Sequence, residues 1–453
     1  MNDHLPELSM TELVNCRLHN MRKPVIGLTV VAVAGAVLAA INCQFISDGP
    51  HRFMMAYLVA FAFVLSISLG SLFFVLIQHQ MRAGWSVVVR RLAEFFCLNV
   101  VVVGVLFLPI AWSVWSGNGL IYSWSNTSGT VPSTHTQTAG DSDPLLLHVA
   151  LVINGDALNL ESGQPPNRSQ SHALPDKPYL SKGRFLVTWV GLFSYWIIVS
   201  VYYYRNSVAQ DLTSDVRRTR NMEWWSGVAL LLFGFSVTFA AFDLLMMLDS
   251  SWYSTIFGVY YFAGCAVAAF ATLLLCMLLL KRFERVPDVF LDEVQRDLGR
   301  LLFAFVFFWA YIGFSQFMLL WYANMPETTN WLVRRGMSTA TGYTNSWGWL
   351  AIFLLFGHFL VPFVGIMSRH VKGNSNAMIF WAIWMLVVHY LDLYWIVIPE
   401  ISSGFTISLI EVGTGLAVVA VYGLAVIWIA SQSRLFAVGD PRMNESLTRH
   451  AMY

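Results

Sequence analysis

Charge is what this chain has least of. Asp, Glu, Lys and Arg make up 12% of its 453 residues, about half the share found in an ordinary soluble domain. Hydrophobic residues make up 57%, which excludes a water-soluble globule and indicates a polytopic helical membrane protein. The formal net charge is +1, so there is no bulk basic footprint for nucleic acid. Cysteine is sparse too: Cys16, Cys43, Cys97, Cys265 and Cys276. None stands in a CxxC or CxxCH pattern, which removes support for zinc, iron–sulfur and covalently attached haem sites. The intramembrane ones read as small apolar residues. Phosphate loops, HExxH motifs and GxSxG elbows are also missing.

No cleaved leader is expected. Residues 1–23 are polar, and the first apolar run is about 20 residues long, beyond the core of a signal peptide. Ala40-Ile41-Asn42-Cys43 lacks the small residues that precede a lipidated cysteine.

What the chain does have is ten apolar runs of spanning length, near 24–46, 53–79, 86–116, 184–204, 224–248, 255–281, 299–323, 346–368, 376–398 and 405–431. It is therefore read as all-α, with an N-terminal tail (1–23), spans 1–3 (24–116), one large loop (117–183), spans 4–10 (184–431) and a C-terminal tail (432–453). Arg17, Arg22, Lys23, Arg82, Arg90, Arg91, Arg205, Arg217, Arg218, Arg220, Lys281, Arg282, Arg369, Lys372, Arg434 and Arg442 fall on one side. The positive-inside rule makes that side, with both termini, cytoplasmic. Arg334 and Arg335, in the 324–345 loop, are the main exceptions. Trp112, Trp115, Trp224, Trp225, Trp252, Trp321, Trp347 and Trp349 mark boundaries and read as an interfacial belt.

The 117–183 loop falls on the non-cytoplasmic side. Ser123–Asp143 reads as flexible from its Ser, Thr, Gly and Asp content. The apolar run Pro144–Ile153 is too short to span and suggests a docking element for an extramembrane partner.

The sharpest local signal is His389-Tyr390-Leu391-Asp392-Leu393-Tyr394-Trp395, inside the ninth apolar run. A histidine and an aspartate three apart share one helix face. Ionisable groups at that depth cost on the order of 2–3 kcal/mol each even on the lenient insertion scale, so a functional role is the default expectation. Counting at 1.5 Å per residue puts Asp243, Asp392 and Glu411 about 8–10 Å from the non-cytoplasmic ends of their helices, His389 about 14 Å and His358 about 18 Å. Gln316 is similarly shallow. Glu94, four residues after Arg90, is the clearest acid of the cytoplasmic half. Asp249 falls at a span end and reads as solvated, and Lys281–Arg300 reads as a cytoplasmic surface helix.

Three functions suit such a cluster. A His–carboxylate pair can serve a quinol site or a proton-transfer chain. His358 and His389 can be axial ligands of a b-type haem. A secondary transporter would use a broken helix such as the one Pro362 offers. The bland alternative is interhelical hydrogen bonding that only holds helices together.

Several stretches are more specific: Asp249–Gly264 (DSSWYSTIFGVYYFAG), Phe308-Trp309-Ala310-Tyr311 continuing to Gln316–Glu327 (QFMLLWYANMPE), His358–Phe363 (HFLVPF) with Ser368-Arg369-His370, and Leu391–Trp395 (LDLYW). Together they resemble the ActF-type membrane subunits of alternative complex III, a quinol:electron-acceptor oxidoreductase of bacterial inner membranes, within the wider NrfD-like (polysulfide reductase membrane-subunit) family. The resemblance covers about residues 220–400. Trp85, Arg90, Arg91 and Glu94 look like the family's Trp…ArgArg…Glu pattern, and 117–183 is not matched. The resemblance implies eight spans in two four-helix bundles plus two peripheral helices. It implies a subunit with no redox centre of its own. Haem c and iron–sulfur clusters would sit on partners, a multihaem cytochrome c and an iron–sulfur protein. A related NrfD-like subunit, ActC, would be the better candidate for the quinol pocket. The role left for a chain like this one is scaffolding and proton conduction, with His389, Asp392, His358, Asp243, Glu411, Gln316 and Glu94 as the proton-transfer candidates.

Overall fold

A computed structural model describes residues 16–18, 21–46, 48–126, 179–285, 291–337 and 345–448. Among them are ten helices long and apolar enough to cross a membrane, and no strand. We label them α1 (Arg22–Phe45), α2 (Gly49–Gln80), α3 (Val87–Ser116), α4 (Lys182–Thr213), α5 (Val216–Leu248), α6 (Phe257–Arg282), α7 (Asp292–Ala323), α8 (Ser346–Met367), α9 (Ser375–Glu400) and α10 (Leu409–Ser431). The chain is an integral, multi-pass membrane protein. The apolar run Pro144–Ile153 lies outside the described residues.

Local chemistry sets the helix ends. Ser181, Asp215, Asn345, Asn374 and Ser408 each accept a hydrogen bond from a first-turn backbone N–H of the helix that follows, satisfying donors that a helix start leaves open. Ser408 and Glu411 form a reciprocal capping box on α10. α3 breaks at Asn99 and Phe107, with Pro109 opening its last segment. α4, α5 and α7 run past their apolar cores, through 205–213, 216–223 and 292–298. Polar helix costs nothing once the chain has left the bilayer, which hydropathy alone does not register.

The helices form two groups of four. In the first, α2 packs on α3 and α5, and α4 bridges α3 and α5. In the second, α6 packs on α7 and α9, with α8 closing against both. α2 and α6 join the groups along their length and are the most enclosed helices, whereas α1 is almost wholly exposed. α1 and α10 pair with each other at the periphery, α10 resting on α2. Their crossing needs two glycines: a Cβ on Gly35 would lie 2.6 Å from the Gly413 carbonyl oxygen, and one on Gly413 would lie 2.6 Å from that of Gly35. Small residues permit this close approach in apolar surroundings, where packing rather than water expulsion drives association.

Several sequence expectations change. Trp252 and Trp347 are buried within the protein, with Trp252 stacked on Trp331 at 4.3 Å. Asp249 is buried and ion-paired with Arg334 rather than solvated. Arg334 also pairs with Glu400 at 2.7 Å and Arg335 with Glu400 at 3.0 Å. Two cations thus meet two carboxylates, which explains how Arg334 and Arg335 stand on the side poor in positive charge. Over 292–300, the charged stretch read as a surface helix is the continuous first part of α7.

Candidate functional site

Three of the seven candidate residues meet. His358 on α8, with His389 and Asp392 on α9, each offer a donor atom within 4.8 Å of the other two. All three are buried. Spacing alone brought His389 and Asp392 together; His358 arrives through a local irregularity. Residues Leu355–Leu360 form a π-helical turn within α8, followed by Pro362, which cannot donate a backbone hydrogen bond. Trp384 Nε1 donates to the Gly357 carbonyl at 2.7 Å, satisfying an acceptor in this wide turn. His358 stands in the same turn and faces the bundle.

The surrounding helices hold the three groups. Tyr260 on α6 donates its hydroxyl to Asp392 Oδ1 at 2.5 Å, and Trp309 on α7 donates Nε1 to Oδ2 at 3.2 Å. The Trp309 ring also lies against His358, with centroids 3.8 Å apart. Ser66 on α2 hydrogen-bonds His389 Nε2 at 3.0 Å. His389 packs against bare backbone: a Cβ on Gly264 would lie 2.7 Å from its Cε1. Five helices therefore contribute to one cluster.

Hydrogen bonding is uneven across it. Both Asp392 oxygens have donors, whereas both His358 ring nitrogens and His389 Nδ1 are buried with no hydrogen-bond partner among the described residues. A buried polar group left this way costs about 1–3 kcal/mol. Lone atoms of this kind occur elsewhere in the molecule, as at Trp189 Nε1 and Ser71 Oγ, but here three gather on two histidines beside a carboxylate, which calls for a partner such as water or a ligand. A proton, a water chain, a ligand headgroup or a metal ion can all use these atoms. A bis-histidine haem fits poorly, because Trp309 already lies on one ring and the Gly264 backbone against the other.

The other four candidates stand elsewhere. Asp243 accepts two hydrogen bonds from Arg184 Nη1, both 3.0 Å, and one from the Tyr179 hydroxyl at 2.9 Å. Glu411 pairs with Arg52 at 2.5 Å and caps α10. Gln316 is 3.5 Å from the Ser254 hydroxyl. Glu94 is enclosed by Arg91 at 3.2 Å and Arg90 at 3.7 Å. Arg91 continues to Asp211 at 2.8 Å, and Arg90 to Asp440 in the C-terminal tail. The common depth of Asp243, Glu411 and Asp392 does not make them neighbours, because equal depth fixes height in the bundle but not position around it.

Sequence reading missed Ser66, Tyr260, Trp309 and Gly264 as site residues. Tyr260 and Trp309 lay within the stretches that carry the family resemblance, which is the signal that pointed to them. Gly264 closes the first of those stretches, whereas Ser66 gave no signal, since a lone serine in an apolar span is common. Searches against family models and curated proteins return no match for this chain.

Proposed function

We propose that this chain is a membrane-core subunit of a quinol-oxidising electron-transfer complex of the alternative complex III type in a bacterial inner membrane. On this reading it has no redox centre of its own and handles protons through His389, Asp392 and His358. One observation carries the reading. Tyr260, Trp309, His358 and Asp392 come from four separate stretches that carry the resemblance, and all four belong to one buried cluster. Stretches far apart in sequence that converge on unsatisfied polar atoms suit a shared chemical task better than four independent packing needs.

The proposed chemistry is short. Asp392 is a carboxylate whose two donors, Tyr260 and Trp309, fix its position. His389, anchored at Nε2 by Ser66, has Nδ1 for proton exchange, and His358 supplies two further nitrogens on the α8 side. Proton transfer between such groups requires hydrogen-bond reach or one intervening water, which donor atoms within 4.8 Å of one another allow. Electrons would pass through partner subunits, a multihaem cytochrome c and an iron–sulfur protein, with an NrfD-like paralogue of the ActC type nearest the quinol. On this reading both termini face the cytoplasm, as the positive-inside rule favours.

Asp392→Asn is the test. In the intact complex it should lower quinol oxidation or coupled proton movement at least tenfold, within the range general acid–base groups supply, while assembly is unchanged. Normal turnover and proton release in that variant would sink the proton role. A second reading, a stand-alone secondary transporter, draws on the π turn and Pro362 of α8, since broken helices frame substrate sites in transporters. Purification under mild conditions separates the two. A multihaem protein bound to the chain supports the first reading, and transport by the chain alone in proteoliposomes supports the second.

A further inference from the structure

We propose that His358, His389 and Asp392 form a binding site for one divalent first-row transition-metal ion, with Zn2+ or Co2+ as the natural occupant. The inference rests on donor geometry and does not depend on the quinol reading.

The donor set is two imidazoles and one carboxylate, each offering an atom within 4.8 Å of the others. Tetrahedral donors around zinc stand roughly 3.3 Å apart at bond lengths of about 2.0–2.1 Å. Closure therefore asks each side chain to move by only about an ångström. Nitrogen donors favour zinc and its neighbours over magnesium and calcium, which take oxygen shells. The five cysteines contribute nothing to this set.

Unsatisfied donors supply an independent observation. His358 is fully buried, and neither of its ring nitrogens has a hydrogen-bond partner among the described residues. His389 has one nitrogen on Ser66 and the other with no hydrogen-bond partner among the described residues. That is what a metal-ligating histidine needs: one nitrogen on the ion, the other fixed by an outer hydrogen bond. Asp392 is likewise oriented by Tyr260 and Trp309. The outer shell that usually holds ligands in place is present around all but His358, and the Trp309 ring supports that one.

Charge sets the fourth ligand. A divalent ion with two neutral imidazoles and one carboxylate leaves a single positive charge in an apolar interior, where an uncompensated charge is costly. A hydroxide in the fourth position would bring the total to zero. The site is thus of the open type, with three protein ligands and one exchangeable oxygen. An ion held there would occupy all three groups at once and would compete with protons for them.

The test uses the full chain in detergent, stripped with chelator and then incubated with Co2+ alone. One equivalent should bind with the visible absorption of four-coordinate Co2+, and Zn2+ should displace it. His358→Gln and Asp392→Asn should each weaken binding at least tenfold. His51→Gln, which removes the exposed His51–Asp48 pair, should leave it unchanged. X-ray absorption of the Zn2+-loaded wild type guards against misfolded variants: a nitrogen and oxygen shell with two imidazoles supports the site. No stoichiometric binding, equal binding in His358→Gln and Asp392→Asn, loss only in His51→Gln, or sulfur in the shell would each overturn it.

Discussion

Two buried polar regions of this molecule are built on opposite plans. Near the end that carries the tails, Arg90, Arg91, Glu94, Asp211 and Asp440 form a network of two cations and three acids, every member ion-paired. In the second four-helix group, among the described residues, His358, His389 and Asp392 have no ion pair, and three ring nitrogens go without a hydrogen-bond partner. The first plan sets every charge against an opposite one, as a buried ionic cluster must to survive desolvation. The network too has polar atoms with no hydrogen bond, among them Arg91 Nη1 and both Glu94 oxygens, but each of its side chains faces an opposite charge, whereas the second cluster pairs no charge among the described residues and leaves three ring nitrogens open. The comparison separates a polar cluster that holds helices together from one available for chemistry, and burial alone would not have told them apart.

The comparison breaks most readily at Arg91. Arg91→Met takes the cation from Asp211 and leaves Glu94 with Arg90 alone, so it should destabilise the chain by about 3–5 kcal/mol, the cost of a buried pair with one partner removed. Thermal unfolding in detergent measures it, and a loss below about 1 kcal/mol would mean that water already screens the network. Gly264→Ala comes next. It drives a methyl into the His389 ring and should cost about 1–3 kcal/mol, as overpacking does, and an unchanged melting temperature would show that His389 can move aside. Asp392→Asn should cost only about 1 kcal/mol, the worth of one hydrogen bond, because no cation loses its partner. A stability loss as large as that of Arg91→Met would erase the distinction between the two regions.

The smallest effect concerns pH. Burial raises the pKa of Asp440, but Arg90 outweighs it and holds the carboxyl below its usual range. A carboxyl depressed in the folded state contributes stability above its unfolded value of about 3.9, and loses it as pH falls through the lower folded value. The C-terminal tail should therefore stay docked at neutral and mildly acidic pH and detach only in strong acid. Limited proteolysis of 432–453 across pH would follow this, and release near neutrality would contradict it. Asp440→Asn should expose the tail at all pH values.

Sequence reading reached the ten helices because spanning length and low charge are properties of each run taken alone. It fell short where a feature depends on a partner distant in the chain. Asp249 read as solvated because Arg334 is 85 positions away. Glu411 read as a relay member because its ion-pair partner Arg52 is 359 positions away, although the Ser408–Glu411 capping box was local. His389 and Asp392 were legible as a pair through helical spacing. His358 was legible only as a deep histidine, because the packing of α8 on α7 and α9 is what brings it to them. Trp309 shows the same limit from the other side, as one ring serving both Asp392 and His358.

The wide turn in α8 has one more consequence, for how the chain tolerates changes in length. Exposed residues form a single stripe through Trp349, Ile352, Phe356, Val361, Val364 and Met367, which the π turn keeps in phase across Leu355–Leu360. Deleting one residue there would restore ordinary helical winding and rotate everything on one side by about 100°. Ile366 and Pro362, now buried, would swing towards lipid, or Trp347 would do so at the other end. Substitutions in this turn test side chains one at a time, whereas a single-residue deletion re-indexes the whole span. Sequences that keep this architecture should therefore vary in residue type here but not in count.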